Sequence, residues 1–186
     1  MRFNLLFSGA ILLALACSPT KTANAIDLEP AWYVGGGVGA SWLDPKPPNI
    51  YSVGDDQDFA WHLSGGYRVN ENFSFELAFT DLGGAEILSS GSAVGNINYR
   101  QTTFSVLWSP TLKTDLTWRA YFKAGVNYSN PDWDLDPLII DEWGALAGIG
   151  IEKFFSNSNF ALRAEYTAYA EDAQAVNLSV VMYFSD

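Results

Sequence analysis

Residues 58–82 read DFAWHLSGGYRVNENFSFELAFTDL, and this stretch decides the fold. Large apolar side chains alternate with small, polar or charged ones on both sides of Asn70-Glu71. Period-two alternation places successive side chains on opposite faces of a β-strand. A polar pair between two alternating runs fits a tight turn. The stretch therefore predicts two antiparallel strands joined by a short connection.

The same alternation recurs along the chain and predicts eight strands, over residues 31–43, 58–69, 72–82, 97–109, 116–129, 142–155, 159–169 and 174–184. One face of each run is apolar, and the other carries small, polar or charged side chains. In the fourth run, Ile97 and Tyr99 are out of step with Phe104. This shift predicts a bulge near residues 100–102, or emergence of the strand from the apolar zone.

The first 25 residues have the features of an export signal. Arg2 supplies the positive charge, residues 3–16 are largely apolar, and Ala23-Asn24-Ala25 fits a small-x-small cleavage site. We therefore expect a signal peptide over residues 1–25 and a mature domain over 26–186 that begins at Ile26. Lipoprotein processing at Cys17 is the alternative.

Composition excludes several protein classes. The net charge is −11, with 10 Lys and Arg against 21 Asp and Glu, which argues against a general nucleic-acid binder. A single Cys argues against a disulfide framework or a cysteine-rich zinc site. Aromatic residues make up 15% of the chain, too many for a disordered protein. After the leader, no run reaches the roughly 18 apolar residues of a transmembrane helix.

The connections between the runs help to decide which face points outward. A soluble barrel would put the apolar face inside, whereas a membrane barrel puts it against lipid. Short connections at 70–71, 110–115 and 156–158 alternate with mostly longer, acidic ones at 44–57, 83–96, 130–141 and 170–173. Outer-membrane barrels combine tight periplasmic turns with longer outer loops.

Aromatic side chains near both ends of the apolar face favour the membrane interpretation as well, because such rings collect at the two membrane interfaces. The predicted interface residues are Trp32, Trp42, Trp61, Tyr67, Phe73, Trp108, Trp118, Trp143, Phe160 and Phe184. We therefore predict an all-β fold, an eight-stranded antiparallel up-and-down transmembrane β-barrel.

Three stretches resemble small outer-membrane β-barrel proteins of the OmpA, OmpX and opacity-protein type: AWYVGGGVG at 31–39, GGYRVNENFSFEL at 65–77, and the aromatic-ended strand at 176–184. The resemblance implies the outer membrane of a Gram-negative bacterium, contact with lipopolysaccharide, and assembly through the C-terminal strand by the barrel-assembly machinery. It also implies a monomer. Ser185-Asp186 after Phe184 departs from the family's ending.

The polar face carries a balanced set of charges in an otherwise acidic chain. The predicted lumen charges are Arg68, Glu76, Arg119, Lys123, Glu142, Glu152, Arg163 and Glu165. The lumen of an eight-stranded barrel is just filled by side chains, and an unpaired charge there is costly. These residues therefore predict a plugged, ion-paired lumen rather than an open channel.

Three motifs suggest other chemistry, and each has a simpler interpretation. Gly35-x-Gly37-x-x-Ala40 fits a dinucleotide fingerprint, but no helix follows it. His62-x-Ser64 is similar to the motif of outer-membrane lipid A deacylases, but both residues fall on the polar face. The acidic stretch 132–136 lacks the glycine and the last glutamate of a calcium-binding EF-hand loop. We therefore predict no catalytic, cofactor-binding or metal-binding residues.

Together these patterns predict a non-enzymatic integral outer-membrane barrel with acidic outer loops and a structural or surface-interaction role. The alternatives are a narrow pore for small solutes, a lipid-modifying enzyme, and a soluble periplasmic ligand-binding barrel.

Overall fold

The structure is a computed structural model that describes residues 30–43, 51–53, 57–89, 92–110, 117–133, 143–155, 158–170 and 173–184. The predicted leader, residues 1–25, lies outside the described residues. The strands are β1 (Ala31–Leu43), β2 (Tyr51–Val53), β3 (Gln57–Arg68), β4 (Phe73–Ser89), β5 (Ser92–Trp108), β6 (Trp118–Trp133), β7 (Trp143–Phe154), β8 (Phe160–Tyr169) and β9 (Ala173–Phe184). The described residues include no helix long and apolar enough to cross a membrane.

Eight of these strands close into a ring. The order is β4-β3-β1-β9-β8-β7-β6-β5, and pairing of β4 with β5 completes the circle. All pairs are antiparallel, and β1 joins the last strand, β9, from Trp32↔Phe184 to Leu43↔Ala173. The predicted closed, up-and-down eight-stranded barrel is confirmed. Closure pairs both edges of every barrel strand.

The two faces of the barrel wall are reversed relative to a soluble protein. In β9, Asn177 and Ser179 point inward and are buried, whereas Val176 and Val180 are 45% and 54% exposed on the outside. The same alternation runs through β7 and β8. The polar side chains of the alternating strands therefore line the lumen, and the apolar side chains form the outer surface.

The predicted bulge near residues 100–102 is wrong, because the irregularity lies in the partner strand. The pairing of β5 with β6 runs without a shift from Ile97 to Trp108, whereas the register of β4 shifts between Asp81 and Gly84. Gly83 has φ 75° there, a conformation that glycine adopts at little cost. The Gly84 N–H donates to Asp58 Oδ2 at 2.7 Å, which holds the bulge.

The predicted connection at 83–96 is also wrong over most of its length. Strand β4 continues to Ser89, and β5 starts at Ser92 and pairs with it. Strand β2 adds three residues to the outer part of β4, inside the predicted connection at 44–57. At 17 residues each, β4 and β5 exceed the roughly 9–11 residues that cross a bilayer. One side of the barrel wall therefore projects beyond the apolar band.

Two apolar clusters close the lumen at its ends. The long-loop end holds Leu43, Ala60, Leu82, Ala85, Tyr99, Leu146, Tyr169, Ala173 and Ala175. The short-turn end, where the 69–72 and 155–159 connections lie, holds Ala31, Tyr33, Phe154, Ala161, Val181 and Tyr183. Between them lies a polar and charged layer.

Candidate functional site

Six charged side chains from four strands meet in the lumen. They are buried, and we call them the ion-paired cluster: Glu76 of β4, Arg119 and Lys123 of β6, Glu152 of β7, and Arg163 and Glu165 of β8. Three are cations and three are anions, so the cluster is balanced. Each side chain points inward because it falls on the polar phase of its strand.

Lys123 joins two carboxylates from opposite sides of the barrel. Its Nζ donates to Glu76 Oε1 and to Glu165 Oε1, each at 2.9 Å. Glu165 also accepts a hydrogen bond from Thr167 Oγ1 at 2.9 Å. The ammonium group thus links β4 to β8 across the lumen.

Arg163 lies at the centre of the cluster. Its Nη1 pairs with Glu76, and its Nη2 lies 2.7 Å from Glu152 Oε1. The guanidinium carbon lies 5.3 Å from the Tyr33 ring centroid and 5.4 Å from that of Tyr121. Two carboxylates and two aromatic rings therefore fix this cation.

Arg119 completes the cluster toward the short-turn end. Its Nη1 lies 3.5 Å from Glu152 Oε2, its Nε donates to Ser109 Oγ at 2.6 Å, and its Nη2 donates to Ser74 Oγ at 3.1 Å. Hydroxyl groups supply most of its partners, so this ion pair is looser than those of Lys123.

Three tyrosines reach the same carboxylates, and the sequence prediction did not include them. Tyr33 Oη donates to Glu76 Oε2 at 3.1 Å, Tyr121 Oη to Glu165 Oε2 at 2.5 Å, and Tyr183 Oη to Glu152 Oε1 at 3.0 Å. Each carboxylate of the cluster thus accepts one phenol. The sequence does contain a signal for them: each tyrosine falls on the polar face of its strand, where large aromatic rings are uncommon.

The remaining predicted charges lie apart from the cluster. Arg68 is buried nearer the short-turn end, with its guanidinium carbon 4.6 Å from the Tyr183 ring centroid. Glu142 lies outside the described residues. His62 and Ser64 are buried in the lumen, and His62 Nε2 lies 3.1 Å from Ser179 Oγ. Neither faces the outer surface, where a lipid substrate would lie.

The predicted interface aromatics all lie on the outer face. Trp32, Trp42, Trp61, Phe73, Trp108, Trp118, Trp143, Phe160 and Phe184 are exposed, and Tyr67 is half-buried. Several contact each other: the ring centroids of Trp32 and Tyr67 are 4.8 Å apart, and those of Tyr128 and Trp143 are 5.2 Å apart. They form two belts, one near each end of the barrel.

The other motifs form no ligand site in the described part of the chain. Gly35, Gly37 and Ala40 lie inside the continuous strand β1, so the turn of a dinucleotide site is not formed. The described residues contain no group of three His, Cys, Asp or Glu side chains placed to hold a metal ion. Most of the acidic stretch 132–136 lies outside the described residues.

Comparison with solved structures shows the same fold. OprG from Pseudomonas aeruginosa, known from a crystal structure, shares 13% sequence identity with this chain. The superposition covers 86% of this chain and 98% of OprG, with a TM-score of 0.60. Neisserial surface protein A is 14% identical, with coverage of 82% and 97% and a TM-score of 0.56.

Ail of Yersinia pestis, in complex with the heparin analogue sucrose octasulfate, is 15% identical, with coverage of 83% and 98% and a TM-score of 0.51. At these identities the likeness is one of fold. No curated protein sequence matches the chain significantly.

The family model described as outer membrane protein beta-barrel domain matches residues 8–184, nearly the whole chain. The match agrees with the closed barrel, the apolar outer face and the two aromatic belts. The predicted membrane barrel is therefore confirmed, and the soluble alternative is wrong. The chain belongs to the outer membrane protein beta-barrel family and is a small barrel of the Gram-negative outer membrane.

Proposed function

We propose that the protein is a closed, non-enzymatic barrel whose role is structural and whose outer loops interact at the cell surface. The observation that carries this proposal is the double pairing of Lys123 and Arg163. Each cation joins two carboxylates on different strands, within 2.9 Å in the case of Lys123. These side chains cross the lumen, the route along the barrel axis that a narrow pore would use.

Opening this route would separate buried ion pairs. Breaking such a pair typically costs several kcal/mol, because the released charges lose their partners in a medium of low dielectric constant. The tyrosine hydroxyls on the same carboxylates would have to move as well. A stable open pore therefore requires side chains from β4, β6, β7 and β8 to give up their present partners.

Single-channel recording tests the proposal against the narrow-pore alternative. Purified protein is reconstituted into planar bilayers, with a sixteen-stranded porin treated identically as the positive control. We expect no reproducible conductance steps from this protein. Steady, ohmic steps that scale with salt concentration would refute the closed lumen.

For the membrane partner we propose lipopolysaccharide, contacted at the outer rim by Arg100. This side chain is 51% exposed and meets Asp81 only through Nε, at 3.4 Å. Arg100 lies two residues beyond Thr102, which is the register partner of both Phe79 and Tyr128 in the outer aromatic belt. Guanidinium groups bind phosphate well, and the phosphates of lipid A lie at this level.

Refolding into phosphatidylcholine vesicles with and without lipid A tests this contact. Wild-type protein should be more resistant to urea when lipid A is present, and Arg100→Gln should lose most of that gain. Lys153→Gln, at the opposite interface, should retain it. An unchanged gain in Arg100→Gln would exclude Arg100 as the phosphate contact.

We further propose that β9 is the strand recognised by the barrel-assembly machinery and that the protein is a monomer. Strand β9 pairs with β1 along its whole length and thus completes the ring. Deletion of residues 176–184 should abolish outer-membrane insertion, and light scattering should give the mass of one chain plus detergent. Insertion without β9, or a stable dimer, would contradict these two statements respectively.

A further inference from the structure

An apolar groove lies on the lipid-facing side of the barrel, over β6, β7 and β8. Its volume is about 440 Å³. Sites for small molecules occupy roughly 300–1,000 Å³, so the groove is large enough to hold one. The residues that line it include Ala120, Phe122, Ile149, Ile151, Ala164 and Tyr166. The groove therefore offers space to an apolar ligand that lies in the membrane.

The groove forms because small and large side chains meet on this part of the outer surface. Ala120 and Ala164 are the register partners of Ile151 on its two sides, and their methyl groups leave the surface low there. Two residues further along the strands, Phe122 and Ile149 are 53% and 55% exposed and project from the surface. An empty space beside such side chains forfeits dispersion contacts. A thin, flexible apolar chain is the occupant that fits it.

A cation lies at one end of the groove. Lys153 follows Ile151 by two residues on the outward face of β7, and its register partners are Trp118 and Leu162. Its Nζ lies 5.0 Å from the Trp118 ring centroid, and none of the ion pairs among the described residues includes it. Of the other described cations, only Arg100 faces outward, at the opposite end of the barrel. The Lys153 ammonium is therefore available to an anion at the membrane surface.

The position of Lys153 assigns the groove to one leaflet. The residue lies next to the 155–159 connection, and the short turns of outer-membrane barrels face the periplasm. From Lys153 to Ile149 the strand covers four residues, roughly 13 Å at ~3.3 Å each. This length is about half of the ~25 Å apolar band. A phospholipid of the periplasmic leaflet has the matching shape, with a phosphate at the surface and apolar chains beneath it.

A second copy of the chain fits the groove less well. Phe122, Ile149 and Tyr166 all project from this surface. The rigid wall of another barrel would meet these side chains before it reached Ala120 and Ala164. A single acyl chain can pass beside them.

We propose that the groove and Lys153 form a binding site for one anionic phospholipid of the periplasmic leaflet. An acyl chain lies over Ala120 and Ala164, and the phosphate contacts the Lys153 ammonium. Lysine binds phosphate as a point charge, and basic sites at a membrane surface recognise anionic headgroups. A lipid with a net negative charge is preferred over a zwitterionic one, because its phosphate has no cation of its own.

Native mass spectrometry of the folded protein in detergent tests the proposal on the unaltered chain. Phosphatidylglycerol and phosphatidylcholine with identical oleoyl chains are added in equal amounts over a range of concentrations. We expect one phosphatidylglycerol per barrel to bind first, with a Kd about fivefold lower than that of phosphatidylcholine. Equal affinity for the two lipids would overturn the proposal.

Substitutions at the two ends of the site locate it. Lys153→Gln removes the cation and should raise the Kd for phosphatidylglycerol about fivefold, whereas Lys153→Arg should keep the wild-type value. Ala164→Phe fills the groove without a change of charge and should weaken binding at least as much. Ala147→Phe, at an outward alanine of β7 outside the groove, is its matched control and should leave the Kd unchanged. Undiminished binding in Lys153→Gln or in Ala164→Phe would overturn the proposal.

The same spectra count the chains in each particle. A dimer that disappears in Ala164→Phe would show that the groove holds a second copy instead, and would also overturn the proposal. The affinity for phospholipid is independent of conductance, so a failure of this site is distinct from a failure of the closed lumen.

Discussion

Tyr121 occupies the space over Gly150 on the neighbouring strand: a Cβ at Gly150 would lie 2.3 Å from Tyr121 Cζ and Oη. The two residues are register partners, and Glu165 follows Gly150 on the next strand. The tyrosine therefore crosses one strand and donates to the carboxylate beyond it. Tyr33 crosses Gly66 in the same way to reach Glu76. Glycine in the middle strand makes both bonds possible.

Substitution of these glycines tests the arrangement. In Gly66→Ala the new Cβ would lie 2.3 Å from Tyr33 Cζ and 2.4 Å from the Phe75 carbonyl oxygen, which is backbone and cannot move freely. We expect a loss of about 1–3 kcal/mol in the free energy of unfolding, typical of overpacking. Urea titration of protein refolded into vesicles measures it.

The adjacent Gly65 is a matched control, because it faces outward and a Cβ there would meet only the Tyr33 carbonyl oxygen at 3.9 Å. Gly65→Ala should change stability by no more than about 0.5 kcal/mol. Equal effects of Gly65→Ala and Gly66→Ala would contradict the crossing arrangement.

Removal of Lys123 should destabilise the barrel more than removal of an outer-surface lysine. Lys123→Met leaves Glu76 and Glu165 without their shared cation, and we expect a loss of about 3–5 kcal/mol. Lys153→Met removes a cation that lies 5.0 Å from the Trp118 ring centroid on the outside, and should cost about 1 kcal/mol or less.

Neutralising a carboxylate should then repair part of the damage. Adding Glu165→Gln to Lys123→Met should recover stability relative to the single variant, as measured by the urea midpoint in the same vesicles. A double variant less stable than Lys123→Met would show that repulsion between the carboxylates is not the cause of the loss.

The bulge in β4 depends on the conformation of Gly83. With φ at 75°, Gly83→Ala forces an L-residue into the left-handed region, and its Cβ would lie 2.4 Å from Asp58 Oδ2. We expect a loss of about 1–2 kcal/mol in unfolding free energy. If Gly83→Ala unfolds at the same urea concentration as the wild type, the left-handed conformation of Gly83 does not stabilise this part of β4.

Processing is tested by mass spectrometry of protein purified from the outer membrane. The Ala23-Asn24-Ala25 motif predicts that the mature chain begins at Ile26. The mass should correspond to residues 26–186 without modification. An acylated Cys17 at the N-terminus would show lipoprotein processing instead.

Period-two alternation predicted the strands and their faces, because the direction of a side chain in a strand is a local property. It did not predict which charges would meet. Arg163 and Glu76 are 87 residues apart in sequence, and their contact follows from the register of the five strands from β4 to β8 around the ring. That register is set by the packing of all the lumen side chains together.

The sequence also failed to predict the outer parts of β4 and β5. Inside the apolar band, contact with lipid requires apolar and polar side chains to alternate strictly along a strand. Beyond the band this requirement ends. Residues 83–96 do not alternate, so the sequence predicted a loop there. The bulge at Gly83 also adds a residue to β4 and so changes which of its following side chains fall on each face. A single chain offers no local signal that separates this hairpin from an irregular connection.

The central claim is that paired charges hold the barrel from inside while apolar side chains face lipid, and adjacent residues of β8 test it. Removing the buried cation in Arg163→Leu leaves Glu152 with the looser 3.5 Å ion pair to Arg119 and the hydrogen bond from Tyr183 Oη. We expect a loss of about 3–5 kcal/mol. Ala164→Arg puts a cation into the hydrocarbon and should cost about 2–4 kcal/mol.

The deciding measurement is the free energy of unfolding by urea in lipid vesicles, with Glu152→Gln added to each variant. Glu152→Gln should restore much of the stability lost in Arg163→Leu, because it removes the orphaned carboxylate. It should not help Ala164→Arg, whose charge lies on the other side of the wall. An Arg163→Leu protein as stable as the wild type, or rescue of Ala164→Arg by Glu152→Gln, would contradict the account.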